Sequence, residues 1–128
     1  MGATAAIAEF IVATSLRDFP AESSEKAKKA IADTFAAIIA GAGSEVALPL
    51  RKYLESAHAP GSVPILGTSM TAAPETGALV NGTYGHALDY DDVLSIMPAH
   101  PSAVIVAALL ASCHHQRVEG RAFMEAYL

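Results

Sequence analysis

The sequence predicts an all-α fold, and three observations carry that expectation. Alanine accounts for 27 of 128 residues, 52% of the chain is hydrophobic and only 16% is charged, a composition that suits closely packed helices and argues against disorder. Apolar residues recur at three- and four-residue intervals through most of the chain. Strand signals are confined to residues 63–66, and one strand cannot make a sheet by itself.

The first helix is expected over residues 4–16, where Ile7, Phe10, Ile11 and Leu16 form an apolar stripe; Phe19-Pro20 closes the connection after it. A second helix opens at the Pro20 turn or at Ser23 and runs to Gly41 or Gly43. Lys26, Lys28 and Lys29 lie near its start, the end where the helix dipole disfavours them. Residues 30–40 are apolar almost all round, so that half is expected to be buried, with Asp33 bonded to a neighbouring group rather than catalytic. Ser44 suits the N-cap of a third helix to Ala57, with Pro49 in its first turn and Val46, Leu50, Tyr53 and Leu54 facing inward. Residues 58–62 read as a turn. A fourth helix is expected from Thr71 to about Leu88, with Pro74 in its first turn. The fifth, residues 101–115, is the most hydrophobic and ends at His114 and His115, which suit the negative end of the dipole or the surface. A sixth begins at Glu119 and stops in mid-pattern at Phe123, Ala126 and Tyr127 with no cap. No linker or repeat divides the chain. Residues 1–128 are therefore expected to be one helical unit, an N-terminal fragment or prematurely ended copy of something longer.

Composition also excludes function classes. The net charge is −5 and no basic run occurs, so nucleic acid is not an expected partner. Cys113 stands alone, so neither an internal disulfide nor a cysteine-held iron–sulfur cluster can form within the chain. The longest uncharged apolar run, residues 103–113, is too short to span a membrane. The opening residues start like a myristoylation signal but carry Ala6 where a hydroxyl residue is needed, and Glu9 interrupts the first apolar run, so no signal peptide is expected. These readings place the protein in the cytoplasm. The low charge further suggests that much of its surface is covered by something absent from this chain.

The chemistry concentrates in residues 81–102, NGTYGHALDYDDVLSIMPAHPS, where two histidines, three aspartates and two tyrosines break the apolar background. His86, Asp89 and Tyr90 stand at i, i+3 and i+4, one face of a helix if the helix continues that far. Asp91 and Asp92 follow where it should run out, and either could cap loop N–H groups. Pro101 suits the first turn of the next helix, leaving His100 at its N-terminal mouth, where free N–H groups attract an anion. A histidine can give or take a proton at neutral pH. Asn81-Gly82-Thr83 is a glycosylation sequon, better read here as a helix irregularity.

HALDYDD, a short loop and then HPSAVIVAALLA resemble the MmgE/PrpD family, which includes 2-methylcitrate dehydratase, cis-aconitate decarboxylase and iminodisuccinate epimerase. AKKAIADTFAAIIAGAGSE and ILGTSMTAAPETGALVNGTYGHALDYDD extend the resemblance over nearly the whole chain, as the N-terminal part of a member's helical domain. The resemblance implies a cofactor-independent lyase acting on a small tricarboxylic acid by adding or removing water, with no cofactor, no metal and a homodimeric assembly. It implies catalytic roles for Asp89 and His100. Asp92, Ser102 and His86 are assigned to substrate binding, Ser102 through its N–H at the helix mouth; His86 also admits the simpler reading of a core or hinge histidine. A metal site from His86, Asp89 and His100 has a plausible ligand set that the resemblance does not support. Val93 stands where the family's decarboxylases carry threonine, which counts against decarboxylation. Epimerase or decarboxylase chemistry, or an inactive remnant serving as a dimerisation module, are the alternatives.

Overall fold

A computed structural model of the chain describes residues 2–57, 60–96, 98–114, 116 and 118–128. The expected turn at residues 58–62 and the histidine at 115 fall partly or wholly outside them. Among the described residues the fold is all-α apart from one small ribbon, as the composition predicts. It comprises α1 (Ala3–Ala13), α2 (Ala21–Gly41), α3 (Ala47–Ala57), β1 (Val63–Pro64), β2 (Thr71–Ala72), α4 (Pro74–His86), α5 (Pro101–Cys113) and α6 (Gly120–Tyr127).

The core forms where α4 lies against α2 and α5. Ile38, Val80, Tyr84 and Val106 are fully buried there, joined by Val63 and Ile65 from the ribbon segment. Burying a side chain of this size stabilises by about 1.5–3 kcal/mol, so this small cluster anchors the three helices. Two glycines allow the helices to close. A β-carbon on Gly41 would collide with the backbone carbonyl of Tyr84, so α2 and α4 touch main chain to main chain. A β-carbon on Gly85 would stand 3.2 Å from Ala103 Cβ and 3.3 Å from Ile38, where α4 meets α5 and α2.

The ribbon corrects the expected start of the fourth helix. Thr71 and Ala72 pair antiparallel with Pro64 and Val63, and the helix begins at Pro74 with Ala73 as its extended N-cap. Proline disfavours helical backbone in the residue before it, which accounts for the later start. Residues 63–66 therefore do find a partner strand. Asn81, fully buried on α4, holds the segment down: its amide accepts the Leu66 N–H at 3.0 Å and donates to the Pro64 carbonyl at 3.0 Å. That burial removes the sequon from consideration.

Other boundaries shift. α1 ends at Ala13, and a single 3-10 turn, Leu16–Asp18, follows it. There Asp18 accepts the Ser15 N–H and hydroxyl, which together hold its carboxyl below the usual carboxylate range. α1 has no buried residue: Ile7, Phe10, Ile11 and Val12 are all exposed, and Phe10, Ile11 and Val12 border an open groove whose other side is Ala122, Ala126 and Tyr127 of α6. Ser44 does not cap α3, which starts at Ala47; its hydroxyl instead bonds the Gly41 carbonyl at the end of α2. Asp33 is exposed rather than buried, because it falls at the edge of the face of α2 that buries Thr34, Ala37 and Ile38.

Candidate functional site

The helix α4 ends one residue pair earlier than the pattern HALDYDD suggests. Its last helical residue is His86, and the chain then turns, with the Asp89 N–H bonded to the His86 carbonyl. Asp89 itself adopts a left-handed backbone, φ 55°, which costs an L-residue about 1 kcal/mol or somewhat more and which aspartate tolerates better than most. His86, Asp89 and Tyr90 therefore do not share a helical face. The left-handed turn reverses the chain, and it is Asp91, five positions beyond His86, that returns to the histidine.

Asp91 is the centre of the resulting cluster. Its side chain is 0% exposed. Both carboxylate oxygens stand at His86 Nδ1, at 3.0 and 3.1 Å. An ionised carboxylate only accepts, so the proton of this bond is on His86 Nδ1, and a neutral His86 ring keeps its lone pair on Nε2. His100, on the approach to α5, places Nδ1 3.4 Å from Asp91 Oδ1 and Nε2 3.9 Å from Asp89 Oδ1. The first distance is within ion-pair reach, yet the buried Nδ1 makes no hydrogen bond there. The two imidazole rings lie 4.6 Å apart, tilted by 59°. Asp89 is open to solvent, with 81% of its side chain exposed, and so is free to meet a small molecule.

Asp92 does different work. Its Oδ1 accepts the Ser102 N–H at 3.0 Å and its Oδ2 the Ser102 hydroxyl at 2.8 Å. It thereby caps the N-terminus of α5 across the loop, satisfying a donor that the helix itself leaves unpaired. The N–H expected to hold a substrate carboxylate is thus occupied by a carboxylate of the chain. The Ser102 hydroxyl also meets Tyr127 Oη at 2.6 Å, bringing α6 to the same point.

His100 and Asp89 thus come together as the sequence suggested, with His86 beside them, while Asp92 and Ser102 form an adjoining clamp. Asp91 stands among the site residues where the sequence offered only a loop cap. An apolar groove of about 600 Å³ opens between α4 and α5, lined by Leu79, Gly82, Val104 and Ala107, and reaches His86.

His86, Asp89, Asp91 and His100 each offer one ligand atom, and these all lie within 4.8 Å of one another. Two imidazoles and two carboxylates could coordinate a divalent transition ion, and His86 could offer Nε2 to it while its Nδ1 proton stays directed at Asp91.

Comparison with known proteins bears on this cluster. The sequence pattern of the MmgE/PrpD N-terminal domain matches residues 5–128. A cis-aconitate decarboxylase-like protein of Aspergillus oryzae is similar: 25% of residues are identical over 113 positions, covering 88% of this chain. The chain spans 23% of the length of that relative.

Proposed function

Because the chain belongs to the MmgE/PrpD family, whose enzymes include dehydratases and decarboxylases, we propose that it forms part of a cofactor-independent lyase that adds or removes water on a small tricarboxylic acid. The observation that carries this reading is the convergence of two imidazoles and two carboxylates at the turn after α4. Dehydration beside a carboxylate requires a proton to leave carbon and another to reach the departing hydroxyl, so a donor and an acceptor must stand close together. His100 is assigned the proton transfer at carbon, and exposed Asp89 a substrate hydroxyl or the orientation of the His100 ring. His86, with its proton held at Nδ1 by Asp91, presents Nε2 to the substrate. Asp91 positions both rings from below and does not itself meet substrate.

The groove at His86 and the exposed apolar residues of α1 support a homodimeric assembly within a larger helical domain, for which a cytoplasmic setting is proposed. No helix among the described residues is long and apolar enough to cross a membrane. A decarboxylase of the same family is the second reading; the name of the Aspergillus oryzae relative favours it, and Val93 disfavours it.

The test is turnover in the full-length enzyme against citrate-like acids. His100→Ala and Asp89→Asn are expected to lower kcat by about a hundredfold or more, with little change in melting temperature. Variants that melt several degrees lower yet keep near-normal turnover would show the cluster to be scaffolding.

A further inference from the structure

The clamp beside the cluster contains a proton whose direction is fixed. Ser102 has one hydroxyl proton and lies between Asp92 Oδ2 at 2.8 Å and Tyr127 Oη at 2.6 Å. The carboxylate has no proton to give, so the Ser102 proton goes to Asp92. Tyr127 must then be the donor to Ser102. The chain of bonds runs in one sense, from Tyr127 through Ser102 to Asp92, and each bond polarises the next. Ser102 is 1% exposed, so water does not compete for its hydroxyl.

Two members of this chain lie next to the cluster. Asp92 follows Asp91 directly, and Ser102 is two residues past His100. Fixing Asp92 to Ser102 ties the peptide carrying the buried Asp91 carboxylate to the helix mouth carrying the His100 ring. Between them Val93 to Ile96 are exposed and in loop conformation, and one backbone bond, from the Leu94 N–H to the Ala99 carbonyl at 2.9 Å, closes the loop beside the clamp. A change of a few tenths of an ångström at the clamp would alter the 3.4 Å approach of His100 to Asp91.

We infer that Tyr127 is a positioning residue of the candidate site, acting through Ser102 and Asp92 to set the His100 ring against Asp91. The role rests on the catalytic reading of His100 given above, but its first readout does not. In the protein labelled with ¹⁵N-histidine, Tyr127→Phe is expected to move the imidazole nitrogen resonances of His100, and Ser102→Ala to move them in the same way. The double variant should add little, because both changes break one chain of bonds. In the full-length enzyme Tyr127→Phe should lower kcat about tenfold to a hundredfold with KM nearly unchanged, the signature of a displaced reacting group.

His100 resonances that stay in place in folded Tyr127→Phe overturn the inference. Resonances that move with no fall in kcat also overturn it, because the bonds are then a structural clamp only. Should Tyr127→Phe fail to fold, Ser102→Ala carries both readouts and the same two outcomes decide. Failure of the catalytic reading looks different: His100→Ala itself would keep turnover.

Discussion

Asp91→Asn is the most direct test of how the cluster is held, because it removes a charge and keeps the shape. The carboxylate is wholly buried and meets His86 Nδ1 with both oxygens. A hydrogen bond to a charged group contributes about 1.5–3 kcal/mol. The His86 side chain is 57% exposed, so solvent screens the pair and reduces the figure to about 1–2 kcal/mol. An asparagine could still accept the Nδ1 proton through its oxygen, which keeps the loss from growing larger. For a domain of this size each kcal/mol lowers the melting temperature by about 3–5 °C, giving an expected fall of about 3–10 °C by calorimetry or circular dichroism. The same variant should release the His86 proton from Nδ1, visible as a shift toward mixed tautomers in a long-range ¹H–¹⁵N spectrum. The sign is what matters. Replacing a buried charge that lacks adequate partners often stabilises a protein. A rise in melting temperature for Asp91→Asn would therefore refute the claim that the His86 imidazole compensates this carboxylate.

Further tests address the scaffold and the enzyme. Gly41→Ala should destabilise by about 1–3 kcal/mol, since its β-carbon meets the Tyr84 main chain and a helix must move; equilibrium urea unfolding measures it, and an unchanged midpoint would mean the helices are not in contact. Asn81→Ala leaves the Leu66 N–H and the Pro64 carbonyl without their partner, and a loss of about 1–3 kcal/mol with faster amide exchange at Leu66 is expected. Dialysis of the full-length enzyme against a strong chelator should leave its turnover intact; activity lost and then restored by one added metal would make the four-residue cluster a metal centre. Purified alone, the 128-residue chain should not turn over any polycarboxylate at an enzymatic rate, because groups that act together lose nearly all effect when part of the set is missing.

The helices were legible because their signals are local. Pro74 and Pro101 mark first turns, and the apolar density of α2 and α5 marks the core. Thr71 was misread as helix because its strand partner lies seven residues upstream, a tertiary relation that helix propensity does not register. α1 carries an apolar stripe that predicts burial, yet what such a stripe packs against cannot be read from one helix. At the site, His100 and Asp89 could be named from their placement around Pro101 and the end of α4. Asp91 could not. Its spacing from His86 fits neither helix nor strand periodicity, and it reaches the ring only because Asp89 takes a left-handed backbone. Aspartate is among the residues that tolerate that conformation, so a faint signal existed, but nothing local required it. The occupied Ser102 N–H was likewise invisible, since the capping carboxylate comes from ten residues before it.

The contact of Gly41 with the Tyr84 carbonyl has a mechanical meaning for the residues that follow it. Where two helices meet through side chains, rotamer changes give the joint some play. Here the bearing surfaces are main chain on both sides, and no rotamer exists to absorb a shift. Tyr84 lies two residues before His86, so the height of that imidazole along α4 is gauged directly from α2. Proton transfer rates fall steeply with sub-ångström misplacement. A joint without play, set one half-turn from the ring, confines His86 to one elevation, from which the turn beyond it starts.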